Sequence, residues 1–356
     1  MSNFLQFVFT PAGLADAALA IAATRAGAVG VYNAELDASP AAAEAAVAKL
    51  TALARGPFGL RLERIDASLV PVLRGAVAHG LSWLVLDAEE VAAQAPLLKE
   101  LRAAGLRVLV QVCTPQPLAA EALAEADGIL VKGNEAGGFV GEDASFILMQ
   151  KWLKRATLPL YLRGGLTPHV AAACAAVGVA GGVLESQLLL MDEVRLPDAL
   201  RVLIGNLAGS ETLGVGDGEH GEYFRILLRP GHTVARQFAA DGEGLGFAGL
   251  RDRVTGLAGW HDPAKGLLPI GQEVAFAAPW KKRFGTVGAV IAAVNEAVES
   301  HPRLAAAQPP LVEGGPLAQA LGLRYPIVQG PMTRVSDTAE FALAVAQGGR
   351  SEEPHV

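Results

Sequence analysis

The chain has 356 residues, is 51% hydrophobic and 18% charged, carries a net charge of -7 and contains 41 glycines. An acidic balance without any sustained basic stretch argues against a nucleic-acid footprint; the tightest cationic cluster, Lys281-Lys282-Arg283, reads as a solvated helix face. Cys113 and Cys174 lie far apart and outside metal-ligand spacing, which excludes a disulfide framework and argues against a zinc site, leaving two buried thiols.

The amino terminus lacks a charged segment followed by a long apolar one. No 18-residue stretch outside the Ala-rich amphipathic segments is free of charges and helix breakers. The expectation is a cytoplasmic protein without membrane contact.

In chain order, strands are expected at residues 5–9, 28–32, 58–62, 82–86, 107–112, 128–131, 158–162 and 182–184. Ala/Leu-rich helical patterns fall between them, including 14–25, 40–54, 69–79 and 92–104. Strands alternating with helices imply parallel pairing, and eight such units within the first 200 residues predict a (β/α)8 TIM barrel of the α/β class. An open nucleotide-binding sheet would need G-x-G-x-x-G after its first strand, and Phe9-Thr10-Pro11-Ala12-Gly13-Leu14 has no such pattern. A ligand site should therefore lie where strands end: Arg61, Asp87, Thr114, residues 132–138, residues 163–166 and Glu185.

Within that set, Lys132-Gly133-Asn134-Glu135-Ala136-Gly137-Gly138-Phe139-Val140-Gly141 hangs from the end of the sixth strand. Glycine lets a flat or phosphorylated ligand approach backbone N–H groups closely, so the segment reads as a ligand loop, a plain turn being the other reading. Gly164-Gly165, followed by Thr167 as N-cap and Pro168 as first helical residue, would offer N–H groups and a positive helix end to a phosphate. Beyond the barrel, a strand is expected over 222–229 and an amphipathic helix over 287–298. His220, His232 and His261 fit no metal motif there. Trp83, Trp152, Trp260 and Trp280 read as core or contact residues.

The loop at 133–141 resembles the G-x-E-A-G-G-H-x-G of the nitronate monooxygenase and flavin enoyl reductase group of FMN barrels. Residues 158–166 resemble that family's seventh strand with its Gly-Gly pair, residues 178–186 its eighth, and Gly271-Gln272 its later Gly-Gln. The resemblance implies an FMN oxidoreductase acting on a small-molecule or acyl-thioester substrate, of enoyl thioester or nitronate type. It implies flavin contacts from Lys132, Gly133, Glu135, Ala136, Gly137 and Gly138, phosphate contacts from Gly164, Gly165 and Ser186, and Gln272 on the ring side.

A second resemblance lies in the tail. Residues 325–332 and 339–349 look like the family's first strand and helix, the start of another barrel. Tandem copies resemble the amino-terminal portions of polyketide or polyunsaturated-fatty-acid synthases, whose other domains would be partners. The expected organisation is a barrel over 1–200, an accessory or lid region over 201–300, a linker over 301–322 and a truncated second barrel over 323–356. The last segment is expected to pack poorly.

Three departures weigh against catalysis. Phe139 stands at the family's histidine position and cannot move protons, so the catalytic residue is unknown; Glu135, Asp87 and Glu185 are the nearest carboxylates on strand ends. Glu185 replaces a glycine beside the phosphate residue Ser186; a like charge at about 5 Å costs about 3 kcal/mol at an effective dielectric of about 20. Arg163 could neutralise it, and an Arg163–Glu185 pair would equally plug an empty site. Phe9-Thr10-Pro11-Ala12 also lacks the Pro-Met pair that the tail carries as Pro331-Met332. The oxidoreductase reading is favoured; the alternative is a degenerate barrel acting as a structural or docking module.

Overall fold

The structure is a computed structural model describing residues 4–37, 39–254, 256–330 and 338–348. Its strands are β1 (Leu5–Phe9), β2 (Val29–Asn33), β3 (Phe58–Arg61), β4 (Leu81–Asp87), β5 (Arg107–Val112), β6 (Gly128–Lys132), β7 (Gly138–Val140), β8 (Leu160–Arg163), β9 (Gly181–Leu184), β10 (Thr212–Asp217) and β11 (Glu222–Leu227). Eight of them, β1 to β6 with β8 and β9, form a closed parallel barrel, β9 returning to β1 through the pairs Leu5↔Gly181 to Val8↔Leu184. The fold is the expected (β/α)8 barrel.

Side chains alternate along each strand, so one parity faces the helices and the other fills the barrel. Val8, Leu84, Leu86, Val108, Val110, Ile129 and Leu162 belong to the large outer core. Phe7, Phe9, Val29, Val31, Trp83, Val85, Leu109, Leu130, Tyr161 and Val183 form the inner one. At its centre Phe7 meets Trp83 and Tyr161 edge-to-face, with ring centroids 5.1 and 5.5 Å apart. Carrying the inner parity two residues further brings Asn33, Arg61, Asp87, Gln111, Lys132, Arg163 and Glu185 into one layer at the carboxyl mouth. The registers Asn33↔Arg61, Asp87↔Gln111 and Lys132↔Arg163 make neighbours of six of them.

Three local expectations are corrected. The helix expected from residue 14 runs Ala18–Arg25. The segment 92–104 lies across two helices, Ala88–Ala93 and Ala95–Ala103, because Pro96 has no N–H to continue the ladder and instead occupies the second helix's first turn. The glycine-rich segment contains a strand: β7 pairs antiparallel with β11, and β11 with β10, in a small separate sheet.

That sheet and the helices Thr233–Gly242 and Phe247–Val254 enclose a further apolar cluster, including Phe139, Phe224, Ile226, Phe238, Leu250 and Val254. The later helix Val287–Ala307 returns to the opposite end of the barrel, where the Gln6 side chain donates to the Ile291 carbonyl at 3.1 Å and to Asn295 at 2.7 Å.

The chain divides into two compact units, Met1–Glu299 and Ser300–Val356. In the second unit, Arg324 pairs with Glu313 at 2.8 Å and a short helix covers Pro316–Ala320. The strand expected over 325–332 is not formed in residues 325–330; Pro331 and Met332 lie outside the described residues. Ile327 and Val328 are 65% and 69% exposed, so among the described residues this apolar pair has neither a strand partner nor a packed face. The expected helix is present as Ala339–Gly348. Among the described residues no helix is long and apolar enough to cross a membrane, and no acidic, His or Cys cluster could hold a metal ion.

Candidate functional site

The polar layer at the barrel mouth is an ion-pair network. Arg163 Nε and Nη2 donate to Glu185 Oε2 and Oε1 at 3.0 and 2.8 Å, and Nη1 donates to Gln111 Oε1 at 2.6 Å. Arg61 Nη2 bonds Glu35 at 3.2 Å and Asp87 at 2.9 Å. Glu35 also lies 3.9 Å from Arg163, linking the two clusters. Arg61, Arg163, Glu35 and Glu185 are all buried.

A buried carboxylate is stable as an ion only beside cations. Burial alone would raise the pKa of Glu35, but Arg61, Lys132 and Arg163 outweigh it and hold the carboxyl at about 2. Lys132 shows the opposite balance: burial, then repulsion from Arg163, lowers its pKa, and its fully buried Nζ has no hydrogen-bond partner among the described residues.

The expected phosphate elements come together beside this layer. Gly164 and Gly165 leave β8 at φ +117° and +63°, a left-handed path that side chains disfavour. Thr167 caps the helix Pro168–Ala176, its hydroxyl accepting from Val170 N at 3.2 Å. A buried carboxyl group already sits against these groups. Gly165 N donates to Glu273 Oε2 at 2.7 Å and Ser186 N to Glu273 Oε1 at 3.4 Å, while Gly271 N donates to Ser186 Oγ at 3.4 Å. Glu273 is buried. Burial and then the neighbouring Glu185, with Glu135 adding less, push its carboxyl up to about 8 against the pull of the two N–H groups.

The glycine loop receives protein backbone. A Cβ at Gly137 would collide with the Pro269 carbonyl and approach Gly271 N, so the missing side chain admits the segment 269–273. Gln272 N donates to the Glu135 carbonyl at 2.7 Å, but the Gln272 side chain is exposed, away from the buried mouth expected of a ring-side residue. The Glu135 carboxylate accepts from Ser145 N at 2.9 Å and from the Ser145 hydroxyl. Gly133 abuts Ser145 and Glu135, and Ala136 is fully buried. Phe139 packs edge-to-face on Phe224 at 4.8 Å and lies under Arg251. Its place in the accessory core accounts for an aromatic hydrocarbon at position 139.

Sequence reasoning brought together Lys132, the glycines, Arg163, Glu185 and Ser186, but missed Glu35 and Glu273. Glu273 carried one signal, its position directly after Gly271-Gln272; Glu35 lies just beyond β2 at a loop position without a motif. An FMN phosphate placed at the Gly165 and Ser186 N–H groups would have to displace Glu273 and would meet Glu185 and Glu135 nearby. As packed, these residues do not fit that group.

The fold and this mouth define a (β/α)8 barrel with a buried polar layer at its carboxyl end. Among solved structures it is similar to FabK from Thermotoga maritima, with a TM-score of 0.68 and 18% identity over 85% of this chain and 94% of that one. A nitroalkane oxidase from Streptomyces ansochromogenes has a TM-score of 0.63 and 19% identity over 84% and 97%. The enoyl reductase domain of MlnA from Bacillus amyloliquefaciens has 0.55 and 12% over 85% and 95%. At these identities the likeness establishes the fold. A (3aS,4S,5R,7aS)-5-hydroxy-7a-methyl-1-oxo-octahydro-1H-indene-4-carboxyl-CoA dehydrogenase of Rhodococcus jostii (strain RHA1) is 31% identical over 164 residues, 44% of each chain. The match thus spans less than half the length of that relative. No protein-family model matches the chain.

Proposed function

We propose that this chain is a barrel of the nitronate monooxygenase and enoyl reductase type whose flavin site has closed. It serves as a structural or docking module beside the other domains of a polyketide or fatty-acid synthase. The observation carrying this reading is the Glu273 carboxylate seated on the Gly165 and Ser186 N–H groups. The Arg163–Glu185 pair supports it by filling the mouth with charges that satisfy one another. The synthase setting rests on the tail, where residues 325–332 resemble the start of a second copy.

A second reading, an FMN-dependent oxidoreductase for an enoyl thioester or nitronate, is favoured by the retained left-handed Gly164-Gly165 turn and capped helix. The likeness to an enoyl reductase domain, a nitroalkane oxidase and, over a shorter stretch, a carboxyl-CoA dehydrogenase also lies on that side. The visible spectrum of the purified chain, before and after FMN is added, separates the two. The expected result is no flavin band and no binding; near-stoichiometric flavin would establish the second reading and overturn the first.

A further inference from the structure

We infer that Glu273 is an internal occupant of an intact phosphate-monoester site, so that the site is blocked by one side chain and not dismantled. The inference rests on the closed-site reading and goes further, because a dismantled site and a plugged one differ in what lies beneath the plug.

The backbone beneath is still shaped for an anion. Gly165 N and Ser186 N come from the ends of adjacent strands β8 and β9 and converge on one carboxylate, at 2.7 and 3.4 Å. Gly164 and Gly165 hold positive φ values along the turn that carries Gly165 N, and Ser186 Oγ accepts from Gly271 N. Convergent N–H groups beside a helix start are a recurring solution for binding phosphate oxygens. A carboxylate offers two oxygens where a phosphate monoester offers three, and Glu273 reaches the position from the 3₁₀ helix Gln272–Phe276.

The neighbouring carboxylates do not destroy such a site. Glu185 is drawn into its two-point bond with Arg163, and Glu135 into bonds with Ser145. Each is engaged independently of Glu273, so replacing Glu273 empties its position without releasing the others. The ligand class that fits the vacated groups is a phosphate monoester, carried on FMN or free as inorganic phosphate.

The test, run above pH 8 where Glu273 is ionised, compares the unaltered chain with Glu273→Ser, which removes both charge and bulk, and Glu273→Gln, which removes charge and keeps bulk. FMN binding is read by quenching of flavin fluorescence, riboflavin serves as the phosphate-free comparator, and circular dichroism confirms folding. The unaltered chain is expected to bind no FMN up to about 1 mM, E273S at least about a hundredfold more tightly and E273Q about tenfold. Riboflavin should gain nothing, and inorganic phosphate should compete with FMN.

A folded E273S without gain for FMN or phosphate overturns the inference and leaves the closed-site reading standing. Should E273S not fold, the absence of gain in folded E273Q has the same meaning. An equal gain for riboflavin would also overturn it, by showing that the phosphate is not what the site recognises. FMN binding to the unaltered chain would sink the closed-site reading itself.

Discussion

Arg163 meets Glu185 through two nearly parallel bonds, Nε to Oε2 at 3.0 Å and Nη2 to Oε1 at 2.8 Å, from the tips of adjacent strands and out of contact with water. Removing one partner of a buried pair strands the other's charge, whereas removing both removes the desolvation cost with the attraction. Arg163→Met is therefore expected to destabilise the fold by about 3–5 kcal/mol, since Glu185 and Glu35 both lose their shared cation. The double variant R163M/E185M should recover most of that loss. Urea unfolding of the two singles and the double checks this; additive losses would show that the pair is not energetically coupled.

Phe139 supplies a second test, because its ring joins β7 to the accessory core through Phe224 and Phe247. Phe139→Ala should cost about 3–5 kcal/mol, the usual penalty for emptying a buried aromatic site. Amide exchange should accelerate in β11, whose Phe224 pairs with Phe139 in register. Unchanged exchange in β11 would show that the small sheet does not depend on this ring.

How much could be read beforehand follows from which forces act locally. Barrel strands announce themselves because each is a short, mostly apolar run followed by a helical segment, and β1 and β5 run over the expected residues 5–9 and 107–112. The polar layer was legible once the strands were placed: parity carries Lys132 and Arg163 inward from Leu130 and Tyr161. The glycine loop was legible as a place of close approach but not in what approaches it. That depends on the segment 269–273, which returns to Gly137 from more than a hundred residues away. Glu273 was illegible for the same reason, since a carboxylate in a helical turn looks solvated until the fold brings it to Gly165.

The tail allows a cheap measurement. Leu311, Ile327 and Val328 are 61%, 65% and 69% exposed, and residues 325–330 have no strand pairing. Chain without ladder bonds or a packed face opens at little cost and is cut first. Limited proteolysis with an enzyme preferring apolar residues is expected to cleave between 308 and 330 well before any site within the barrel. Protection of this segment equal to that of β1 to β6 would overturn the expectation.

Glu273 also makes a prediction about pH whose sign is fixed by its burial. Its carboxyl is pushed up to about 8 in the folded chain, against 4.5 for the ordinary group. Between those values the folded state holds a proton that the unfolded state has released, so raising the pH favours unfolding. The contribution is fully present below about 4.5 and is lost as the pH climbs through 8, at up to about 1.4 kcal/mol per pH unit. Glu35 acts in the opposite direction: held at about 2, it adds stability above the ordinary carboxylate range that is lost on acidification toward 2. Asp37, raised to about 6 chiefly by burial, shares the sign of Glu273 but completes its change lower. The interval from pH 6 to 8 therefore isolates Glu273 when the chain is compared with Glu273→Gln. Urea unfolding should show the natural chain losing stability relative to E273Q across that interval, by about 1–3 kcal/mol. A difference independent of pH would mean that Glu273 is ionised throughout and is held in the cradle as a full anion.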